Sequence, residues 1–224
     1  MLTELLNAPF IIAILLALSV HEAAHAFAAN ALGDPTAREE GRLTLNPLAH
    51  LDPLGTIMFF LVRFGWGKPV PVNPRYFRNV RRDSAVVSLA GPASNLLLAV
   101  IAFFLLALLA PQVMRVANAE QLLFTRGIGV QIQAFLIQVF ANLLFVNLGL
   151  MAFNLLPIAP LDGSKIVQVF IPYAYEEHYQ RYLEYGPYIL IGLLIAEQML
   201  DLPILLTWIS FIVDGVLKLL LLFT

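Results

Sequence analysis

An all-α polytopic membrane protein, with about five transmembrane helices plus a re-entrant or extended membrane-associated segment, is the fold class this sequence predicts. Of 224 residues, 60% are hydrophobic and 12% charged, against about 45 to 50% and about 25% in an ordinary soluble domain. Mean hydropathy is +0.82, and several uncharged runs approach the ~20 residues a spanning helix needs. A bilayer offers the backbone no water to bond, so helices, which satisfy their own polar groups, are the expected elements.

The first element is a helix over residues 5–32, apolar except for His21, Glu22, His25 and Asn30, and stopped by Gly33-Asp34-Pro35. Its apolar run 9–20 has no basic residues before it and passes into His21 without a small-residue cleavage site, so a cleaved signal peptide is not expected. A mixed segment, 36–83, follows. Within it residues 54–62 are apolar but far short of the ~20 needed to cross, which predicts a re-entrant or partly inserted piece. The Val/Pro alternation of Gly65-Trp66-Gly67-Lys68-Pro69-Val70-Pro71-Val72-Asn73-Pro74 excludes a helix and predicts an extended, edge-like strand or loop.

Two long apolar helices are expected over 84–110 and 129–156, joined by a polar link holding Arg115 and Arg126. A polar amphipathic segment, 164–185, precedes a closing hairpin of helices 187–200 and 204–223, divided at Asp201-Leu202-Pro203. If 54–62 does not cross, all of the 13 basic residues except Arg115 and Arg126 fall on one side. Positive residues gather on the cytoplasmic side, which places the N-terminus outside. The compact build suits a prokaryotic cytoplasmic membrane.

A net charge of −2, with no basic stripe, argues against a nucleic-acid partner. The absence of cysteine removes disulfides, thiolate metal sites and thiol nucleophiles. A metal would be held by His, Asp and Glu.

His21-Glu22-Ala23-Ala24-His25 sets two imidazoles one turn apart on one helix face, within reach of a single zinc ion. In this HExxH pattern the carboxylate between them serves as general base toward water. The three ionisable groups lie seven to eleven residues from the helix end, roughly 10 to 16 Å deep at the helical rise, and such groups in a membrane are expensive and functional by default. A pair of histidines lining a helix interface is the structural alternative. A catalytic zinc takes a third protein ligand and keeps one position open. Asp162, in a stretch broken by Pro157 and Pro160, and Asp214, within the last helix, are both candidates. Broken backbone at membrane depth is tolerated mainly where it lines a cavity, which favours Asp162.

At these residues the sequence resembles the site-2 protease family of intramembrane zinc metalloproteases. One signature is HExxH in a membrane helix; the other is Asn154-x-x-Pro157 leading to Leu161-Asp162-Gly163. Ala90-Gly91-Pro92-Ala93-Ser94-Asn95 and the 65–73 run look like the family as well. The resemblance implies His21, His25 and Asp162 as ligands of one Zn2+ per chain and Glu22 as base. It also implies a single intramembrane metalloprotease domain over 1–224, in the short form without PDZ or CBS domains. The expected reaction is hydrolysis of peptide bonds within or near membrane-spanning segments of a protein or peptide substrate. A metal-binding membrane protein without proteolytic activity, as a transporter or inactive homologue, is the alternative.

Several further residues are candidates for substrate or oxyanion contact. Asn95 reads either as interhelical glue or as a group near the reacting carbonyl. Asn154 and Pro157 sit where the helix breaks, and Asn154 either caps that break or bonds substrate or oxyanion. Gly67, Val70 and Val72 belong to an edge strand expected to pair with substrate backbone, with a surface loop as the alternative. His50 and His178, in polar segments, read as surface histidines.

Overall fold

In the computed structural model, described for residues 7–62, 65–109 and 128–223, helices provide the framework. They are α1 (Ala8–Ala31), α2 (Thr36–Glu39), α3 (Pro47–His50), α4 (Pro53–Val62), α5 (Val80–Leu109), α6 (Ile128–Asn154), α7 (Asp162–Gln168), α8 (Glu176–Leu200) and α9 (Ile204–Leu221). Among the described residues, four helical stretches are long and apolar enough to cross a membrane: Ala8–Ala31, Val80–Leu109, Gln131–Asn154 and Ile204–Leu221. The protein is an integral membrane protein. Arg63 and the link with Arg115 and Arg126 lie outside the described residues.

The centre is a bundle of α1, α5 and α6. The buried face of α1 consists of Ala13, Ala17, Ser19, Ala23, Ala26 and Ala29 with the two histidines. Small side chains let neighbouring backbones approach closely, which is how membrane helices pack when lipid is as apolar as the interface. Ala99, Ala102 and Phe103 of α5 and Leu144, Leu148 and Met151 of α6 fill the space beside Ala13. α9 packs on the outer side of α6, and Trp208 donates its indole N–H to the Ala152 carbonyl over 2.8 Å.

The fifth expected span differs. A helix was expected to begin at Pro187, whereas α8 starts at Glu176 and carries Pro187 inside. A proline interrupts the ladder without ending a helix whose preceding turns are otherwise held. Here the first turns are tied down by Tyr179 and Tyr182, whose hydroxyls donate to the Ser164 and Pro157 carbonyls at 2.6 and 2.5 Å. Only the second half of α8 is apolar. The helix at 84 likewise begins earlier, at Val80, where the Asp83 carboxylate accepts from the Asn79 N–H at 3.0 Å.

The apolar piece at 54–62 lies in a short helix. α4 has 10 residues, about 15 Å at the helical rise and half of a hydrocarbon core. The chain then returns beside it: a Cβ on Gly55 would stand 2.1 Å from the Trp66 carbonyl oxygen, and one on Gly65 2.4 Å from that of Gly55. Glycine at both positions is what lets the two arms touch. Residues 65–73 run extended, with a single antiparallel bridge, Gly67 to Leu51; among the described residues no longer strand ladder forms.

Candidate metal centre

His21 and His25 lie on the buried face of α1 with their rings edge to face, 4.6 Å apart. Their Nε2 atoms approach to 3.0 Å, and the Asp162 Oδ2 oxygen stands 3.3 Å from one and 3.4 Å from the other. Among the described residues these three side chains form the group that offers donor atoms within 4.8 Å of one another. Asp214, the rival third ligand, is exposed on α9 and stands outside it.

The hydrogen bonds behind the rings decide what the front atoms are. The Asn95 amide donates through Nδ2 to the Ala17 carbonyl (3.3 Å) and to Asn147 Oδ1 (2.7 Å). Asn147 in turn donates through Nδ2 to the Leu143 carbonyl at 2.7 Å. Asn95 Oδ1 is therefore an acceptor, and at 2.6 Å from His21 Nδ1 it requires the proton on that nitrogen. His25 Nδ1 lies 2.8 Å from the Val87 carbonyl and must donate as well. With each neutral ring protonated at Nδ1, both Nε2 atoms present lone pairs to each other and to Asp162 Oδ2. That buried oxygen has no hydrogen-bond donor of its own.

Three electron-pair donors facing one point repel unless a cation lies between them. Two imidazole nitrogens and a carboxylate oxygen are the donor set that suits zinc. Room for the rings is made by Gly91 of α5: a Cβ there would stand 2.4 Å from His25 Nε2 and 2.6 Å from His21 Cε1. The next residue, Pro92, brings no N–H to the α5 ladder; the Val87 carbonyl, five residues before it, accepts from His25.

Asp162 is delivered by a break in the chain. α6 ends at Asn154, and α7 starts at Asp162 with its first turn folded onto that end; a Cβ on Gly163 would stand 2.3 Å from both the Leu155 and Leu156 carbonyl oxygens. Burial, then Tyr182 and Glu176, push the Tyr179 hydroxyl up to about 12, so it stays a donor to Ser164 at any physiological pH. At the far end of α7 the Arg81 guanidinium donates to the Gln168 and Ile171 carbonyls. It also faces Glu176 Oε2 at 3.5 Å and lies over the Tyr173 ring, 4.6 Å from its centroid.

Glu22, half-buried beside the histidines, accepts at Oε2 from the Val70 N–H over 2.9 Å. Val72 packs with Ala28 and Leu32 against Ala29, Phe77 and Val87. Gly67 lies close to the His50 carbonyl, 3.2 Å from a would-be Cβ. Asn154 donates to the Leu150 carbonyl at 3.0 Å, and Pro157 is exposed. Asn95 is wholly buried against His21, not facing an open cavity. Asn147 was not among the candidates, since one amide within an apolar run carries no signal at sequence level. His178 is exposed, but His50 is 1% exposed; Arg42 and the Thr44 carbonyl supply its partners inside the fold.

A cavity of about 550 Å³ is bounded by Leu15 and Leu18 of α1, Phe59 of α4, Trp66, and Leu150 and Phe153 of α6. Its walls are almost wholly apolar, and they come from the elements that carry Glu22, the extended segment and Asn154.

Residues 9–196 match the family model described as Peptidase family M50. YwhC of Bacillus subtilis (strain 168), designated by inference a zinc metalloprotease, is 44% identical over 162 residues, which cover 72% of this chain and 68% of that protein. Rip2 of Mycobacterium tuberculosis (strain ATCC 25618 / H37Rv), with the same designation, is 37% identical over 155 residues, 66% of this chain and 52% of that protein. Rip2 of Mycolicibacterium smegmatis (strain ATCC 700084 / mc(2)155) is 34% identical over the same length. The chain thus spans about two thirds of YwhC and about half of the Rip2 proteins. No solved structure matches it significantly.

Proposed function

This chain belongs to peptidase family M50, and from that premise we propose that it is an intramembrane zinc endopeptidase in which His21, His25 and Asp162 hold the metal and Glu22 is the general base. The observation that carries the reading is the meeting of three possible ligand atoms, His21 Nε2, His25 Nε2 and Asp162 Oδ2, at one buried point. The designations of YwhC and Rip2 support zinc as the ion.

Zinc held there would supply Lewis acidity, polarising a carbonyl and lowering the pKa of water toward neutrality. The protein's own groups do the rest. Asn95 and the Val87 carbonyl keep both rings in the tautomer that turns Nε2 to the metal. Val70 holds Glu22 Oε2, and Oε1 is the atom we assign to take the proton from the attacking water. The same carboxyl then returns the proton to the leaving amine nitrogen as the peptide C–N bond breaks.

The substrate is an apolar segment of a membrane protein, entering from the bilayer; the apolar cavity beside α1, α4 and α6 supports that class. We assign Gly67, Asn154 and Pro157 to its backbone. The basic residues around Arg75, Arg78, Arg81 and Arg82 favour a cytoplasmic position for the centre and an outer N-terminus, in a prokaryotic cytoplasmic membrane.

The test is Glu22→Gln. Zinc content is expected to remain at one per chain, while cleavage of a single-pass transmembrane peptide falls by at least about 100-fold, the lower range of a general-base contribution. Cleavage retained at the wild-type rate would remove Glu22 from the reaction.

A further inference from the structure

We propose that Arg42 is a positioning residue for Glu22, acting through the extended segment at Lys68 to Val70; the proposal rests on Glu22 being the base. Arg42 is 4% exposed, and among the described residues it has no carboxylate partner. A buried guanidinium is costly to desolvate; Nε of Arg42 is buried without a hydrogen-bond partner, and the two terminal nitrogens make the contacts. Here Nη1 donates to the Pro69 carbonyl at 3.1 Å and Nη2 to the Lys68 carbonyl at 2.6 Å. Nη2 also faces His50 Nδ1 at 3.3 Å. His50 Nε2 lies 2.8 Å from the Thr44 carbonyl, which only accepts, so the His50 proton sits on Nε2 and Nδ1 is free to accept from Arg42.

The amide whose Pro69 carbonyl Arg42 holds is the one whose N–H meets Glu22. Carbonyls 68 and 69 turn to Arg42, while the Val70 N–H turns to Glu22 Oε2 at 2.9 Å. Three residues on, the Asn73 N–H donates to Asp34 Oδ2 at 2.7 Å, and Asp34 is fully buried. Asp34 follows α1 directly, and Arg42 comes after the short α2. The chain that leaves the helix carrying the base therefore holds both flanks of the backbone donor that orients that base. A glutamate on a helix face has three side-chain torsions, and one fixed donor removes most of that freedom. Arg42 sets where the donor stands.

The experiment compares wild type, Arg42→Gln and Arg42→Lys as full chains in detergent. In the metal-free protein, hydrogen exchange at the Val70 amide is expected to rise at least about tenfold in Arg42→Gln, with exchange in α5 and α6 unchanged. Arg42→Lys, a point charge in place of a fork, recovers part of the protection. Zinc content stays at one per chain. On a single-pass transmembrane peptide, kcat falls about tenfold or more and KM changes by less than about twofold. Val70→Pro removes the N–H and is expected to reproduce the kcat loss; combined with Arg42→Gln it falls no further, because both act on one contact.

Unchanged exchange at Val70 in Arg42→Gln, additive losses in the double variant, or a loss carried by KM would overturn the proposal. Should Arg42→Gln fail to fold, an undiminished kcat in Val70→Pro overturns it as well. If the wild type itself does not cut, the reading of Glu22 as base fails, and the exchange measurement still decides whether Arg42 holds the segment.

Discussion

The two imidazoles owe their direction to groups that never touch the metal. Asn95 takes the His21 Nδ1 proton only because Asn147 and Ala17 fix its amide the right way round. Partners of this kind are worth about 10- to 100-fold in metal affinity. Asn95→Ala is therefore expected to weaken zinc binding by about that factor, and Asn147→Ala to weaken it in the same direction but less, both measured by competition with a chromophoric chelator. Gly91→Ala drives a methyl into the space of both rings, and a loss of at least about tenfold in the same assay is expected, since the site must open to admit it. The HExxH helix and the Asp162 break were readable because their chemistry has a fixed spacing or a proline mark. Asn147 was not, because its role depends on which helix lies opposite, and that is a property of packing.

At the scale of elements, the centre depends on α7 staying folded against the end of α6. Arg81 holds the C-terminal end of α7 from the first turn of α5, through two carbonyls, Glu176 and the Tyr173 ring. Hydrogen bonds from a charged donor contribute about 1.5 to 3 kcal/mol each. Arg81→Ala is expected to lower stability by about that amount for one such bond and to weaken zinc binding as Asp162 loosens, read by chemical denaturation and by the chelator assay. The Arg181–Glu177 pair, spaced four residues apart on α8 with both side chains more than half exposed, is the contrast: Arg181→Ala should change neither measurable by more than about 0.5 kcal/mol. The start of α8 escaped the sequence reading because Pro187 looks like a boundary, while the tyrosines that hold the preceding turns find their partners in α7 and in the loop before it. That α4 is too short to cross was readable from length alone, since ten residues cannot span a bilayer as a helix. The extended return was readable from its prolines. That it touches α4 through Gly55 and Gly65 was not.

Over the whole molecule, the spans and the family were legible, because apolar length and two paired signatures do not depend on tertiary contacts. Helix ends moved by several residues, and the count of spans rests on how the half-polar α8 is treated. The proposed orientation rests on the basic residues at the end of the bundle where α5 begins. The chain has no cysteine, so a single Arg78→Cys provides a clean probe. It is expected to react with a membrane-impermeant maleimide only in inverted vesicles or permeabilised cells, and reaction in intact cells would reverse the assignment. Two imidazole nitrogens and a carboxylate oxygen converge at the bundle's centre, so a cation held there binds the folded state. Chelation of the metal is accordingly expected to lower the unfolding midpoint, by mass action on the folded state. The most direct measurement is the zinc content of the purified full chain beside Asp162→Asn. The account predicts one ion per wild-type chain and a sharp fall in the variant. A metal-free wild type, or a variant that keeps its full complement of zinc, would contradict it.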